Sequence, residues 1–284
     1  MRRALRARKA GHAGTLDPAA TGVLVVCLED AVRLQQYLAD GDKAYQATVA
    51  FGAATDTQDA EGRVVAEADA SGLSESALRA ALGAFVGEIV QLPPMFSAVR
   101  VGGRRLHEAA RAGEEVSRSP RRVWVESLDL AELGAPEAGR RLAVLSVRCG
   151  KGTYVRALAA DLGGALGVPA HLAALRRTAS SGFTLDEAVP LEAVERLARE
   201  GGPEALRARV VPPALALRAL PEARVSPGEA IDLAHGRSIA AGKLPDGLAR
   251  AVDGRLRLVA VCRVSEGRLH PVRVFATAAE LAGP

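Results

Sequence analysis

Aromatic residues, cysteines and long apolar runs are all scarce in this chain of 284 residues. Aromatics make up 3% of the residues although 49% are apolar, so alanine, leucine and valine must fill the core. The three cysteines and five histidines show no metal-ligand spacing, and we expect reduced thiols and no metal. No apolar run could span a bilayer, and the start lacks the apolar centre of a signal peptide, which predicts a cytoplasmic protein that is not bound to a membrane.

Lysine is also rare, and arginine carries most of the positive charge. Of the 37 basic residues four are lysines, which leaves 33 arginines, and the formal net charge is +4. Arginine suits bidentate contacts with phosphate, so nucleic acid is a candidate partner, although the base composition of the gene would explain the same bias. The length allows one large domain, or a large and a small one.

A glycine-rich loop near the start, GHAGTLDPAATG at residues 11–22, carries an isolated aspartate. Pro18 biases Asp17 toward extended backbone, from which its side chain can project. The apolar run VLVVCL at 23–28 is typical of a buried strand and would give the loop a rigid base. Asp17 is either a turn former that bonds nearby backbone or a reactive carboxylate.

Periodicity predicts most of the remaining elements up to residue 220. Strands are expected at 45–51 and 142–148 because apolar residues alternate there. Helices are expected at 31–40, at 74–86 with Ser74 as its cap, from Thr153 onward with that threonine as its cap, and within 185–220. From about Pro221 short segments divided by glycine predict a small all-β module.

Arg156 lies in the first turn of the helix expected after Thr153, where a cation opposes the helix dipole. A carboxylate or a nucleic-acid phosphate would resolve that conflict, and the alternative is an ordinary surface arginine. The preceding GKGT lacks the full phosphate-loop pattern, so nucleotide hydrolysis is excluded. Tyr45 and Tyr154 follow lysines closely and are either core residues or platforms on which a base stacks.

The segment at 100–122 is strongly basic, with seven arginines against three glutamates. It is either a solvated surface or an arm that grips phosphates.

These motifs together resemble the TruB-type tRNA pseudouridine synthases. GHAGTLDPAATG is similar to the catalytic motif GHxGxLDPxATG of that family. Four further segments resemble the family in the same order: KAYQATVAFGAATDTQDAEG, LPPMFSAVRVGGRRLHEAARAG, VRCGKGTYVRALAADLG and HLAALRRTASSGF. The resemblance covers nearly all of residues 10–184.

The resemblance implies roles for individual residues. Asp17 matches the essential aspartate, Tyr45 the tyrosine that stacks on the target base, and Arg156 a partner of the aspartate. Further substrate-binding residues are implied: His12, which fills the space of the extruded nucleotide, Tyr154, Leu175, Lys43, Lys151, Arg104 and Arg105.

It also implies a fold and an activity. We expect an α+β pseudouridine-synthase fold with a mixed, largely antiparallel sheet and flanking helices. The expected catalytic domain covers 1–213 with a thumb at 100–122, and a PUA-like RNA-binding barrel covers 221–284. The activity would be cofactor-free isomerisation of uridine 55 in the T loop of tRNA, by a monomer without an obligate protein partner. The alternative is a non-catalytic RNA-binding or tRNA-folding protein on the same scaffold.

The beginning of the sequence departs from the family pattern. Family members have a strand with a D-K-P-x-G-x-[ST]-S segment before the helix that leads into GHxG. Met1 falls within that expected helix, so we expect the missing strand to be encoded upstream in the gene.

Overall fold

The computed structural model describes residues 1–97, 100–101, 104–105, 114 and 116–282. These residues form two compact units. Unit 1 contains residues 1–14, 25–39 and 188–284, and unit 2 contains residues 15–24 and 40–187. The units do not test the domain boundaries at 213 and 221, which stay a prediction.

The strands, in chain order, are β1 (Ala10–His12), β2 (Thr21–Gly22), β3 (Val26–Leu28), β4 (Lys43–Phe51), β5 (Ala53–Thr55), β6 (Val64–Glu67), β7 (Gly87–Gln91), β8 (Arg100–Val101), β9 (Arg104–Arg105), β10 (Arg121–Leu133), β11 (Arg141–Cys149), β12 (Ala170–Ser180), β13 (Phe183–Thr184), β14 (Glu222–Arg224), β15 (Ile239–Ala240), β16 (Gly247–Val252), β17 (Leu258–Ser265) and β18 (Arg268–Val274). The helices are α1 (Gln35–Asp40), α2 (Glu75–Leu82), α3 (Val155–Ala165), α4 (Leu191–Glu200), α5 (Gly202–Arg207), α6 (Pro213–Ala216), α7 (Pro227–Ala234) and α8 (Ala278–Ala282), with 3₁₀ turns at Glu29–Leu34, Gly83–Phe85 and Leu185–Glu187.

Unit 2 is built on one sheet in the order β13-β12-β4-β11-β10-β7, and β2 pairs with β12. The neighbours in this order are antiparallel, whereas β2 runs parallel to β12, so the sheet is mixed but largely antiparallel as predicted. Alternate residues of β4 and β11 point to one face, where α2 and α3 cover them. The core includes Val49, Phe51, Val125, Leu145 and Leu158.

The ends of the two covering helices differ in their caps. Ser74 caps α2 as predicted, because its Oγ accepts a hydrogen bond of 3.1 Å from the Ala77 amide. The predicted cap of α3 is wrong. Tyr154 is the cap residue, and the Thr153 hydroxyl donates to the Gly150 carbonyl at 3.1 Å.

Two predictions about the first 28 residues are also wrong. Residues 2–6 form turns rather than a helix, and Arg6 has a left-handed φ of 51°, which a continuing helix cannot accommodate. The strand predicted at 23–28 is limited to β3, which pairs with β1. The chain changes partners just before it, since the Val23 amide bonds to Arg177 and the Val25 carbonyl accepts from Ala13.

Unit 1 contains the predicted C-terminal β module, a five-stranded sheet in the order β14-β16-β17-β18-β15. Helix α7 packs on this PUA-like sheet and begins with a capping box between Ser226 and Glu229. The apolar cluster around Leu233, Ala251 and Cys262 forms its core. Within the described part of the chain, no helix is long and apolar enough to cross a membrane.

Candidate active site

The loop at residues 15–23 carries Asp17 and lies along β12. Thr21 pairs with Arg176 and Gly22 with Arg177 in a short parallel ladder. Gly22 has a φ of +102°, and a Cβ added there would lie 2.1 Å from the Arg177 carbonyl oxygen. Only glycine allows so close an approach. At the loop tip, the Ala20 amide donates to the Asp17 carbonyl at 2.9 Å, which closes the turn around Pro18.

Asp17 forms a bidentate ion pair with Arg156. Arg156 Nε lies 2.8 Å from Asp17 Oδ2, and its Nη2 lies 3.1 Å from Oδ1. The Arg156 side chain is 5% exposed whereas that of Asp17 is 39% exposed. Asp17 is therefore the carboxylate that offsets the unfavourable position of the Arg156 cation at the start of the helix. The ion pair leaves part of the Asp17 carboxylate accessible to a substrate.

Three further acceptors fix the guanidinium of Arg156. Its Nη1 donates to the Thr57 carbonyl at 3.1 Å and its Nη2 to the Phe96 carbonyl at 2.9 Å. Asp59 Oδ2 lies 3.6 Å from Nη1. Asp59 was not predicted as a site residue, because the segment TDTQDAEG has the composition of an ordinary polar turn. Because these contacts hold the guanidinium of Arg156 on several sides, it can bind Asp17 in only one orientation.

Tyr45 lies in β4, between Val147 of β11 and Arg177 of β12 in the sheet register. It is partly buried and packs against the core of unit 2. Burial raises the pKa of the Tyr45 phenol, and the charge of nearby Arg177 opposes that shift. The phenol is therefore neutral at physiological pH.

Tyr154 and Leu175 are both partly buried, and Leu175 packs against the same core. Gln91, which the sequence did not indicate, holds the backbone of Tyr154 with both ends of its amide. The Tyr154 N–H donates to Gln91 Oε1 at 3.0 Å, and Gln91 Nε2 donates back to the Tyr154 carbonyl at 3.3 Å. The side chain of Gln91 is buried, so this contact fixes the start of α3 and with it Arg156.

The two lysines of the predicted site are placed differently. Lys43 is 8% exposed, and its ammonium donates to the Gly41 carbonyl. Burial, followed by the charge of Arg177, lowers the pKa of Lys43. Lys151 is exposed and pairs with Asp40 at 3.0 Å. Lys151 is therefore accessible to a phosphate, whereas the ammonium of Lys43 is turned into the protein.

The remaining predicted residues belong to other strands. His12 ends β1 in unit 1, where its carbonyl accepts a bond of 2.8 Å from Gln35 Nε2. Arg104 and Arg105 form β9, which pairs with β8. Most of the predicted thumb between these strands and residue 116 lies outside the described residues.

Arg177, like Asp59 and Gln91, is a residue of the site that the sequence analysis missed. Its side chain is 1% exposed, Nε donates to the Val23 carbonyl at 2.7 Å, and Nη1 donates to the Thr15 carbonyl at 3.3 Å. It therefore contacts the loop on both sides of Asp17. Elsewhere in the described ranges, no group of three or more histidine, cysteine or acidic side chains is arranged to hold a metal ion.

The site therefore combines a partly exposed carboxylate, a buried arginine that orients it, and a neutral tyrosine close by in the fold. This arrangement suits an enzyme that uses a carboxylate in catalysis.

Three family models match the chain in order. They are the TruB family pseudouridylate synthase N-terminal domain at residues 2–155, the tRNA pseudouridylate synthase B C-terminal domain at 156–218, and the tRNA pseudouridine synthase II C-terminal domain at 220–276. The chain belongs to the TruB family of pseudouridylate synthases.

Curated relatives and solved structures agree with this assignment. A tRNA pseudouridine synthase B of Symbiobacterium thermophilum is 50% identical over 83% of this chain and 75% of its own length. A protein of the same name from Thiobacillus denitrificans is 44% identical over 96% of this chain and 88% of its own length. In a crystal structure of a Cbf5–Nop10–Gar1 complex, a chain 25% identical to this one superposes with a TM-score of 0.74, covering 100% of this chain and 81% of that one.

Proposed function

We propose that this protein converts uridine 55 of the tRNA T loop to pseudouridine, with Asp17 as the catalytic carboxylate. Family membership and relatives named tRNA pseudouridine synthase B support the reaction and the kind of RNA. The observation that carries the proposal is the Asp17–Arg156 pair, in which the arginine is buried and the carboxylate is partly exposed. Burying the Arg156 cation is costly, and a non-catalytic protein would have no need to do so in order to hold a partly exposed carboxylate.

The reaction breaks the bond between N1 and C1′, turns the base, and joins C5 to C1′. The C5 proton leaves and N1 gains one, so the product is an isomer and no electrons are exchanged with a second compound. Asp17 acts either as a nucleophile at C1′ or C6, or as the group that assists a glycal-type intermediate. Each route needs a carboxylate within contact distance of the extruded nucleoside.

The uridine must leave its stack to reach Asp17, at a cost on the order of a few kcal/mol. We assign Tyr45 the stacking face for the extruded base, with Tyr154 and Leu175 as the walls beside it. His12 would fill the space that the base leaves in the RNA. Lys43, Lys151, Arg104 and Arg105 would bind the substrate, the last three through its phosphates. The ammonium of Lys43 also donates to the Gly41 carbonyl.

The remainder of the chain would bind the body of the tRNA. The segment at 100–122 is proposed as the thumb on the T arm, and the β module at 221–284 as a second RNA-binding surface in addition to the catalytic domain at 1–213. The enzyme would act as a monomer, without an obligate protein partner, in the cytoplasm where its substrate occurs.

The test is incubation of the purified protein with an unmodified T-arm transcript, followed by an assay for pseudouridine at position 55. A matched transcript with cytidine at that position measures binding without reaction. Product at position 55 supports the proposal. Tight binding of both transcripts without product would favour the non-catalytic alternative.

A further inference from the structure

The loop at residues 15–24 belongs to unit 2, yet the chain on both sides of it, residues 1–14 and 25–39, belongs to unit 1. Its place in unit 2 therefore depends on non-covalent contacts rather than on its neighbours in sequence. A displacement of about 1 Å at a reacting group is enough to cost about two powers of ten in rate. The contacts that hold this loop are therefore candidates for a role in catalysis.

We propose that Arg177 is a positioning residue, which clasps both ends of the catalytic loop and so fixes where Asp17 meets the substrate. This inference rests on the proposed function of Asp17. The Arg177 clasp consists of Thr15, Gly22, Val23 and Arg177. Its side-chain half is the guanidinium, which donates to the Val23 carbonyl at 2.7 Å and to the Thr15 carbonyl at 3.3 Å.

The backbone half of the clasp comes from the same residue. The Arg177 carbonyl accepts a hydrogen bond of 2.8 Å from the Val23 amide. Gly22 lies directly against that carbonyl, as the 2.1 Å approach of an added Cβ shows. One residue of β12 therefore holds the entry to the loop through Thr15 and the exit through Val23, and Asp17 lies between the two points.

The chemistry of the side chain suits this arrangement. A guanidinium presents five N–H donors in a rigid plane, so it can reach two carbonyls in one geometry, whereas an ammonium has no such fork. Burying a cation is costly, and an arginine with only a surface role would not require it. Arg177 also lies opposite Tyr45 in the sheet register, so one residue relates the loop to the proposed stacking tyrosine.

Arg177→Lys keeps the charge but removes the fork, and Gly22→Ala breaks the clasp from the backbone side without altering the arginine. For each variant we expect the single-turnover rate on the T-arm transcript to fall about 10- to 100-fold. The affinity of Gly22→Ala for the transcript should stay within about twofold of wild type, because this change alters none of the proposed RNA-binding side chains. Arg177 also contacts the Tyr45 side chain, so Arg177→Lys is judged by its rate and by hydrogen exchange. Arg196→Lys is the matched control, since Arg196 is exposed on α4 and lies outside the clasp, and this variant should keep the wild-type rate.

Amide hydrogen exchange supplies a measurement that needs no activity. In both variants exchange should accelerate in the peptide covering residues 15–23 and stay unchanged in β4 and β11. If the wild-type protein makes no pseudouridine, the proposed function fails, while exchange still tests the clasp. Wild-type rates in both variants, or unchanged exchange at 15–23, would overturn the proposed role of Arg177. If Arg177→Lys accelerates exchange throughout the sheet, the test rests on Gly22→Ala. Faster exchange confined to residues 15–23 together with a slow rate in that variant supports the clasp, and a wild-type rate in that variant overturns it.

Discussion

Arginine serves different purposes in two regions of this molecule. Around the loop that carries Asp17, Arg156 and Arg177 are buried, and they donate hydrogen bonds to carboxylates and backbone carbonyls of the protein itself. At the end of the basic segment, Arg121 and Arg122 are exposed, and Arg122 pairs with Glu88 at the surface. The arginine content is therefore not a simple measure of affinity for RNA.

The comparison also separates two kinds of free-energy contribution. A buried guanidinium that loses one acceptor cannot form a replacement hydrogen bond with water, so the loss has a large cost in free energy. A surface guanidinium is hydrated in the free protein and contributes mainly by releasing counterions from the nucleic acid. Variants in the first region should therefore alter the rate, and variants in the second should alter the salt dependence of binding.

The largest effect is expected from Asp17→Asn, which retains the size of the side chain but removes the proposed catalytic carboxylate. Loss of a covalent step should lower the single-turnover rate by several powers of ten, with transcript affinity within severalfold of wild type. Asp186→Asn, at an exposed position of a 3₁₀ turn, is the matched control. A rate above about a hundredth of the wild-type value would contradict the role of Asp17.

Arg156→Lys should have the next largest effect. An ammonium cannot make the bidentate contact with Asp17 while also reaching the Thr57 and Phe96 carbonyls, so the carboxylate loses its fixed orientation. We expect a rate about a hundredfold lower at nearly unchanged affinity. Arg196→Lys on the exposed face of α4 controls for the substitution itself. Equal behaviour of the two variants would mean that Arg156 has no more influence than a surface arginine.

The sequence predicted this site only in part, and Asp59 and Arg177 show why. Asp59 reaches Arg156 across 97 positions, a long-range contact that composition cannot reveal. Arg176 and Arg177 are adjacent on β12, and strict alternation could point either one inward. Register shifts between Leu172 and Ala174, and between Arg177 and Ala179, break that alternation, so only the folded strand shows that Arg177 is the buried one.

The elements that were predicted correctly are those in which a local sequence pattern is compatible with only one secondary structure. Alternation in β4 and β11 and the serine cap of α2 belong to this group. The first nine residues include good helix formers but form turns, and Leu5 is buried beside Val194 and Leu206. Tertiary contacts overrode local preference there, as they did at the strand predicted for 23–28.

Tyr45 lies beside the buried Arg177, and its two variants separate stacking from acid–base chemistry. Tyr45→Ala should lose base stacking of about 1–3 kcal/mol, whereas Tyr45→Phe keeps the aromatic face and should bind as wild type does. Because burial raises the pKa of Tyr45 above its ordinary value of 10.0, the phenol stays protonated up to that pH. The pH–rate profiles of wild type and Tyr45→Phe should therefore have the same shape up to about pH 9.

Binding and rate in both Tyr45 variants decide between the possibilities. If Tyr45→Phe loses turnover while it binds normally, the hydroxyl takes part in proton transfer. Wild-type behaviour of both variants would remove Tyr45 from the site.

The smallest effect per residue is expected in the basic segment, where Arg104, Arg105 and Arg111 are replaced together by Gln. Arg111 lies outside the described residues, as do the side chains of the other two. Each lost phosphate contact should reduce the slope of log affinity against log salt by about one, and the rate at saturating RNA should change little. Arg196→Gln combined with Arg199→Gln, both exposed on α4, is the matched control. An unchanged slope would show that these arginines form an ordinary solvated surface, and a lower rate at saturation would show that they also position the substrate. In that second case the division between arginines that position and arginines that bind would have to be abandoned.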